Sequence, residues 1–442
     1  MLARPFLLML GVFLAFAAAC SAKAAFPLAV APGGRYLVDS AGAPFLIQGD
    51  SAWSLIAQLR RDDVDRYLAD RRKRGFNTIL VSLIEHRFAS DAPSNAYGQR
   101  PFLTPGDFTS PNESYFAHAD WVVQRAAKEG FLVLLAPCYA GFNGGAEGWY
   151  REMVAAGADK LHRYGEYLGR RYRDFKNIVW VNAGDYDPPD KSLVRAVAGG
   201  IMSNDSQALQ TAQGSPESST LDYWGSEQWL QLNAVYTYAP VYMAMRYQRA
   251  RPERMPYFLI ESVYENEHGA TGQRLRTQAY QALLFGAAGQ VFGNNPIWHF
   301  DGPGLYSTRV SWEDSLGSEG ARSIMHLGSL MGAFAWWKMV PDLGGSLLSE
   351  GLGPRQERAV AALAEDGSFA LAYLPSRRDV AIDLGRLVGP RVAARWYDPA
   401  DGRFADAIGS PLVASGRHRF GSELVSNSAG EDDWVLVLES RP

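Results

Sequence analysis

Cysteine is almost absent from this sequence: Cys20 and Cys138 are the only two in 442 residues. An internal disulfide is therefore excluded once any leader carrying Cys20 is removed, and stability must come from an apolar core. Metal-ligand spacing is missing too, with no HxH, HExxH or CxxC pair, so no short motif assembles a divalent site. A GxSxG nucleophile elbow and a phosphate-cradling glycine loop are both lacking, which removes the serine-hydrolase and nucleotide readings and leaves no cofactor to expect. Neither sign of charge dominates. The 43 basic and 47 acidic residues give a net charge of −4, no basis for holding a polyanion such as nucleic acid. Beyond the N-terminus no apolar run is long enough to cross a bilayer without polar interruption.

The N-terminus itself has a distinct texture. Arg4 precedes an apolar run from Phe6 to Ala19, too short for comfortable spanning, and Ala22-Lys23-Ala24 offers small residues for cleavage; residues 1–24 read as a signal peptide and the protein as exported. Lipid modification at Cys20 is the alternative, with Ala17 a poor match to the bulky aliphatic residue usual three positions earlier. Cleavage after Ala24 removes Arg4 and Lys23 but no acid, taking the charge from −4 to −6.

The rest has the composition of a folded globular chain, 47% apolar and 20% charged, and its length calls for a large domain plus a smaller companion. Residues 25–338 alternate short apolar runs with amphipathic stretches, the pattern of parallel strands joined by crossover helices. Eight strands are predicted: Phe45–Gln48, Thr78–Leu83, Leu132–Ala136, Ile178–Asn182, Leu209–Ala212, Leu232–Tyr236, Tyr257–Ile260 and Gln290–Phe292. Eight is the number that closes a (β/α)8 TIM barrel, with an open doubly wound sheet as the alternative. Between them, Leu161, Tyr164, Leu168, Tyr172 and Phe175 share a helical face, as do Leu275, Ala279, Ala282 and Leu283, and Asp62 or Asp63 is placed to cap a helix carrying Val64, Tyr67 and Leu68. After Trp336-Trp337 the texture shifts to short strands with Asp366-Gly367 and Asp401-Gly402 turns, so residues 339–442 read as a small β-sandwich.

In a (β/α)8 barrel the side chains that do chemistry sit at the C-terminal ends of strands. Two acids follow apolar runs directly: Asp185 after Ile178-Val179-Trp180-Val181-Asn182-Ala183-Gly184, and Glu261 after Tyr257-Phe258-Leu259-Ile260. By count they lie on strands four and seven. Glycosidic cleavage needs one carboxyl to protonate the leaving oxygen and another to meet the oxocarbenium ion, about 5–5.5 Å apart in retaining enzymes. The pattern resembles the large superfamily of retaining barrel glycosidases, in which strand four supplies the acid and strand seven the nucleophile, and that resemblance implies Asp185 as acid/base and Glu261 as nucleophile.

A narrower resemblance rests on Leu46-Ile47-Gln48-Gly49-Asp50-Ser51-Ala52-Trp53, on Arg74-Gly75-Phe76-Asn77, on Ile178–Asp185 and Glu261, and on Trp396-Tyr397-Asp398-Pro399. Together these segments resemble the apiosidase-like glycoside hydrolases, whose C-terminal module is named for collagen binding. The resemblance implies a barrel with an Asp acid/base and a Glu nucleophile, matching Asp185 and Glu261, and a founding activity that releases apiose from pectic side chains. This sequence departs from the family at Asn182-Ala183-Gly184-Asp185, where Gly-Gly-Asp is usual, and at Glu261-Ser262, where a small residue and proline are common nearby.

Position alone adds Asp50, Trp53, His86, Tyr139, Asn182, Tyr236, Asn294 and Trp298 as residues expected to line a sugar pocket. Two other functions compete. A metal-dependent hydrolase would need His86, His268, His299, Glu265 and Asp301 to converge, and a non-catalytic carbohydrate-binding protein would use the C-terminal sandwich as its working part.

Overall fold

The computed structural model describes residues 23–442; all but the last two residues of the expected signal peptide, Cys20 included, lie outside them. Among the described residues no helix is long and apolar enough to cross a membrane.

All eight predicted strands are present. They run Ile47–Ser51 (β1), Thr78–Ser82 (β2), Leu132–Ala136 (β3), Ile178–Ala183 (β4), Leu209–Gln213 (β5), Asn233–Tyr236 (β6), Tyr257–Glu261 (β7) and Gly289–Phe292 (β8). Sheet order is β5-β4-β3-β2-β1-β8-β7-β6, every neighbour pairing parallel. A ninth short strand, Ser218–Ser219, lies antiparallel on β6. It starts five residues after β5 ends, so the two edges of the sheet come side by side. Gln231 N donates to Gln210 O at 3.0 Å. The Thr220 hydroxyl donates to Ala212 O at 2.6 Å and accepts from Ala234 N at 3.0 Å. The result is a nearly closed, barrel-like sheet whose last gap is bridged by side-chain as well as backbone hydrogen bonds.

Helices Arg61–Lys73 (α1), Glu113–Glu129 (α2), Tyr150–Tyr172 (α3), Ser192–Asn204 (α4), Val241–Ala250 (α5), Gly272–Leu284 (α6) and Glu319–Gly332 (α7) cover the outside. The strands are buried on both faces. Ile47, Leu80, Leu134, Val179, Val181, Ile260 and Val291 fill the interior, while Ile79, Val81, Leu135, Trp180 and Leu259 pack outward with Val64, Val122, Leu161 and Leu168 of the helices. The predicted stripes Leu161, Tyr164, Leu168 and Leu275, Ala279, Ala282, Leu283 are buried there. Asp62 and Asp63 do not cap α1; the helix begins at Arg61 and both acids fall in its first turn, where they meet the positive end of its dipole. A small antiparallel sheet, Ala29–Val30, Leu37–Val38 and Pro44–Phe45, puts Leu28, Leu37 and Phe45 into the interior cluster, closing the end of the sheet opposite the strand C-termini.

Beyond Trp336-Trp337 the chain forms two antiparallel sheets, one built on Val360–Ala364, Phe369–Leu374, Trp434–Arg441 and Arg391–Tyr397 and one on Leu348–Glu350, Val380–Asp383 and Arg417–Phe420. Both contribute to one core of Leu348, Ala361, Ala370, Val380, Ile382, Phe420 and Leu436. Against α6 this unit docks through Arg276, which donates to Asp433 from Nε at 2.8 Å and Nη2 at 2.7 Å, and through Tyr280 stacked on Tyr373 at 4.7 Å.

Candidate active site

Asp185 and Glu261 meet. The Gln213 amide at the end of β5 donates to Asp185 Oδ1 at 2.7 Å and to Glu261 Oε2 at 2.6 Å. The sum of those two lengths, 5.3 Å, is the greatest separation these carboxylate oxygens can have.

Local backbone irregularities aim both acids. The pleat alternates side chains between faces, so with Leu259 pointing outward, Glu261 would follow it into the helix layer. Val235 pairs with Leu259, however, and Tyr236 with Glu261. The extra residue, Ile260, is a β-bulge that turns Glu261 inward beside Tyr236. Asp185 is aimed by three successive left-handed residues, Ala183 (φ 62°), Gly184 (φ 115°) and Asp185 (φ 53°). Such non-glycine conformations cost about 1–3 kcal/mol each, and Ala140 N to Ala183 O at 3.1 Å with Gly184 N to Gln213 O at 2.9 Å hold the turn. A Cβ on Gly184 would stand 2.6 Å from the Tyr139 ring, whose hydroxyl donates to Asp185 Oδ2 at 2.7 Å.

Burial raises the pKa of both carboxyls. Asp185 is pushed up to about 6, chiefly by desolvation, with the Tyr139 hydroxyl pulling it down and Glu147 adding a smaller upward push. Glu261 is raised well above its usual range by desolvation and then by the charge of Asp185. Two charges about 5 Å apart at an effective dielectric near 20 repel by roughly 3 kcal/mol, over two pK units. The pair therefore keeps one proton well above ordinary carboxylate pH, and its titration belongs to both residues.

Of the other expected residues, four belong to this mouth. Tyr139 holds Asp185. Tyr236 is paired with Glu261 across β6 and β7, its hydroxyl 2.9 Å from that of Tyr238. Trp53 donates to Tyr264 Oη at 3.2 Å with its ring 5.7 Å from Tyr139. Trp298 donates to Glu267 Oε1 at 2.9 Å.

Asp50, Asn182 and Asn294 are corrections, because their side chains are fully buried and engaged elsewhere, while His86 is engaged by α3 and stays partly exposed. Asp50 is not the end of β1 but inside it, on the outward face, where it takes hydrogen bonds from Tyr67 and Arg71 of α1 at 2.6 Å each. Asn182 shares the outward face with Trp180 and donates to Gln210 Oε1 at 3.0 Å and Thr211 O at 3.2 Å. His86 lies against α3, 3.3 Å from Glu152 Oε1 and edge-on to Trp149. Asn294 donates to Glu265 Oε2 at 2.7 Å, and Glu265 in turn caps α7 at Gly320 N. The donors of the metal-dependent alternative disperse likewise: His268 faces Tyr306, His299 faces Asn295, and no three His, Cys, Asp or Glu side chains gather for a metal among the described residues.

Gln213, Glu267, Tyr264 and Glu147 were not anticipated. Gln213 closes the half-polar stretch Leu209-Gln210-Thr211-Ala212, so no change from apolar to polar sets its amide apart in the sequence.

The sequence profile described as "Apiosidase-like, catalytic domain" matches residues 31–338. The chain belongs to the apiosidase-like family. Membership makes it a glycosidase. A second profile, "Putative collagen-binding domain of a collagenase", matches residues 340–439. No functionally curated protein matches the sequence. Among solved structures, a protein titled glycoside hydrolase is 24% identical, covering 95% of this chain and 99% of its own, with a TM-score of 0.82. A glycoside hydrolase family 5 protein from Bacteroides vulgatus is 24% identical over 94% of each chain, TM-score 0.82. An endo-1,4-beta-mannanase from Rhizomucor miehei is 12% identical, covering 69% of this chain and 99% of its own at TM-score 0.51. At these identities the likeness is one of fold, and this apiosidase-like chain shares it along nearly its whole length with the first two.

Proposed function

We propose that this apiosidase-like chain is an exported retaining glycoside hydrolase, with Asp185 as acid/base and Glu261 as nucleophile on a (β/α)8 barrel spanning 25–338. Residues 339–442 form an accessory β-sandwich. The substrate is a glycosidic bond in a side chain of a plant or microbial polysaccharide. The observation that carries the reading is the Gln213 bridge, which limits the facing carboxylate oxygens to 5.3 Å. That ceiling lies below the spacing of about 6.5–9.5 Å that inversion needs for a water between the carboxyls and is compatible with the spacing of about 5–5.5 Å in retention.

Protonated Asp185 assists departure of the aglycone while Glu261 attacks the anomeric carbon. Asp185 then takes a proton from the water that releases the sugar. Burial supplies the raised proton affinity that the first step needs, and the aromatic rings of Trp53, Tyr139 and Trp298 supply walls for a sugar. The test is a screen of p-nitrophenyl pyranosides and furanosides together with pectic and bacterial polysaccharides. Release of aglycone or sugar that disappears in Glu261→Gln supports the proposal; cleavage confined to esters, or turnover that survives that substitution, overturns it.

The active form carries one proton on the pair, so kcat/KM falls at high pH as that proton leaves. Tyr139 donates to the ionised form of Asp185 and lowers its pKa; Tyr139→Phe removes that preference. Asp185 then holds its proton more tightly, and the alkaline limb of the kcat/KM profile moves up by about one pH unit. A limb that stays in place or moves down would show that Asp185 is not the acid.

A further inference from the structure

A cavity of about 580 Å³ opens at the strand N-termini, on the face of the barrel-like sheet opposite Asp185 and Glu261. Residues at the entry to three strands line it: Leu46 before β1, Tyr257 at the start of β7 and Ala287 before β8. Its other walls are the turn at Gly33-Gly34, the loop after α5, and Trp336-Trp337 with the first strand of the C-terminal unit, Met339–Pro341. Gly34, at φ 70°, lets that turn lie on the loop, for a Cβ there would stand 2.4 Å from Arg254 O. Ligand sites commonly span about 300–1,000 Å³, so the space is of ligand size.

Four guanidiniums enter the lining, Arg35, Arg249, Arg251 and Arg254, against the carboxylates of Glu253 and Glu365. Two of the four are answered by the protein: Arg35 pairs with Glu365 at 2.8 Å and Arg251 with Asp222. Arg249 and Arg254 have neither a hydrogen bond nor an ion pair among the described residues. Arg249 is the sharper case, because it is half-buried. Its stem lies beside Gly286, where a Cβ would stand 3.8 Å from Arg249 Cδ, 2.8 Å from Tyr257 Oη and 3.3 Å from Pro341 Cγ. Burial pushes the Tyr257 hydroxyl up while the charges of Arg249 and Arg35 pull it down, so both guanidiniums face one floor. A partly desolvated guanidinium without a partner costs free energy that a bound anion recovers.

Aromatic rings complete the wall. Tyr36 meets Trp336 at 74° and Trp336 meets Trp337 at 89°, with centroids 5.8 and 6.0 Å apart. Both indoles stay partly exposed, and no ring stacks flat on either among the described residues. A free inorganic anion would use the guanidiniums and not the rings, and a neutral sugar the rings and not the guanidiniums. A sugar that carries charge uses both.

Resting on the proposed action on a polysaccharide, we propose that this cavity is a second, non-catalytic saccharide site for an anionic glycan, with Arg249 and Arg254 binding its carboxylate or sulfate groups and Trp336 and Trp337 its ring faces. A polymer held there stays near the carboxyl pair between cleavages, which raises its effective concentration at the mouth.

The test is calorimetry on the intact chain with an oligogalacturonide, a sulfated malto-oligosaccharide and the same malto-oligosaccharide unsulfated. At least one charged ligand should bind at least about 10-fold tighter than the neutral one, the better of the two showing which anion is recognised, and its affinity should fall as salt is added. Arg249→Gln should weaken that binding about 10-fold. Having no protein partner to lose, it should leave the melting temperature and the turnover of aryl glycosides unchanged. Trp337→Ala, which keeps every charge, should weaken binding as well, whereas Arg417→Gln, at an exposed arginine of the C-terminal unit, should not. Failure of both charged ligands to bind, equal binding of the neutral one, binding unmoved by Arg249→Gln and Trp337→Ala, or displacement by equimolar sulfate or AMP would overturn the proposal. Glu261→Gln separates the two readings. If turnover survives that substitution while Arg249-dependent binding is present, the carboxylate assignment fails and this inference stands; if turnover stops but neither charged ligand binds, only the present inference fails.

Discussion

Glu261→Ala is expected to lower kcat on the order of 10⁵-fold, because without the proposed nucleophile no covalent intermediate can form and the remaining groups supply only binding and protonation. Added azide should restore cleavage. It enters the space the side chain vacates and, with Asp185 still protonating the leaving oxygen, gives a glycosyl azide of opposite anomeric configuration to the substrate. Asp185→Ala should behave differently. It loses about 10²–10⁴-fold on substrates with poor leaving groups, the worth of general acid catalysis, and much less on p-nitrophenyl substrates that need no proton. Azide should then yield the retained glycosyl azide, formed from the intermediate on Glu261. The two products are distinguishable by NMR, and exchange of the outcomes would exchange the roles.

Asp50→Ala should unfold the protein more readily without altering the site. Asp50 and Arg71 are both fully buried, joined at 2.6 Å, and Tyr67 donates to the same carboxylate. Removing one member of a buried pair typically costs about 3–5 kcal/mol, since the other charge is left behind in the interior. Arg71 keeps Asp70 Oδ1 at 2.9 Å and Leu316 O at 3.0 Å, which places the expected loss toward the lower end of that range. The denaturant midpoint measures it. KM of the folded fraction should be unchanged; a raised KM with an unshifted midpoint would return Asp50 to the sugar pocket.

That error shows what sequence could and could not convey. Eight apolar runs announced eight strands, and the change in texture after Trp336-Trp337 announced a second unit. Asp185 and Glu261 stood out because an acid closing an apolar run is costly to bury. Which face a residue took was hidden, since barrel strands are apolar on both sides and show no alternation. Asp50 and Asn182 therefore looked like mouth residues when they point at helices. Glu261 would have been lost had parity been trusted, because the bulge at Ile260 reverses it. Strand ends were set too early at Ala212 and Ile260, where the ladder continues to Gln213 and Glu261. Gln213 and Glu267 could not be found by looking for isolated acids after apolar runs, as one is neutral and the other is placed by a loop.

The most direct test follows the first minutes of hydrolysis of the best aryl glycoside by proton NMR, before the released sugar mutarotates. The anomer appearing first is expected to have the configuration of the substrate. First appearance of the opposite anomer would mean that water, not Glu261, attacks the sugar.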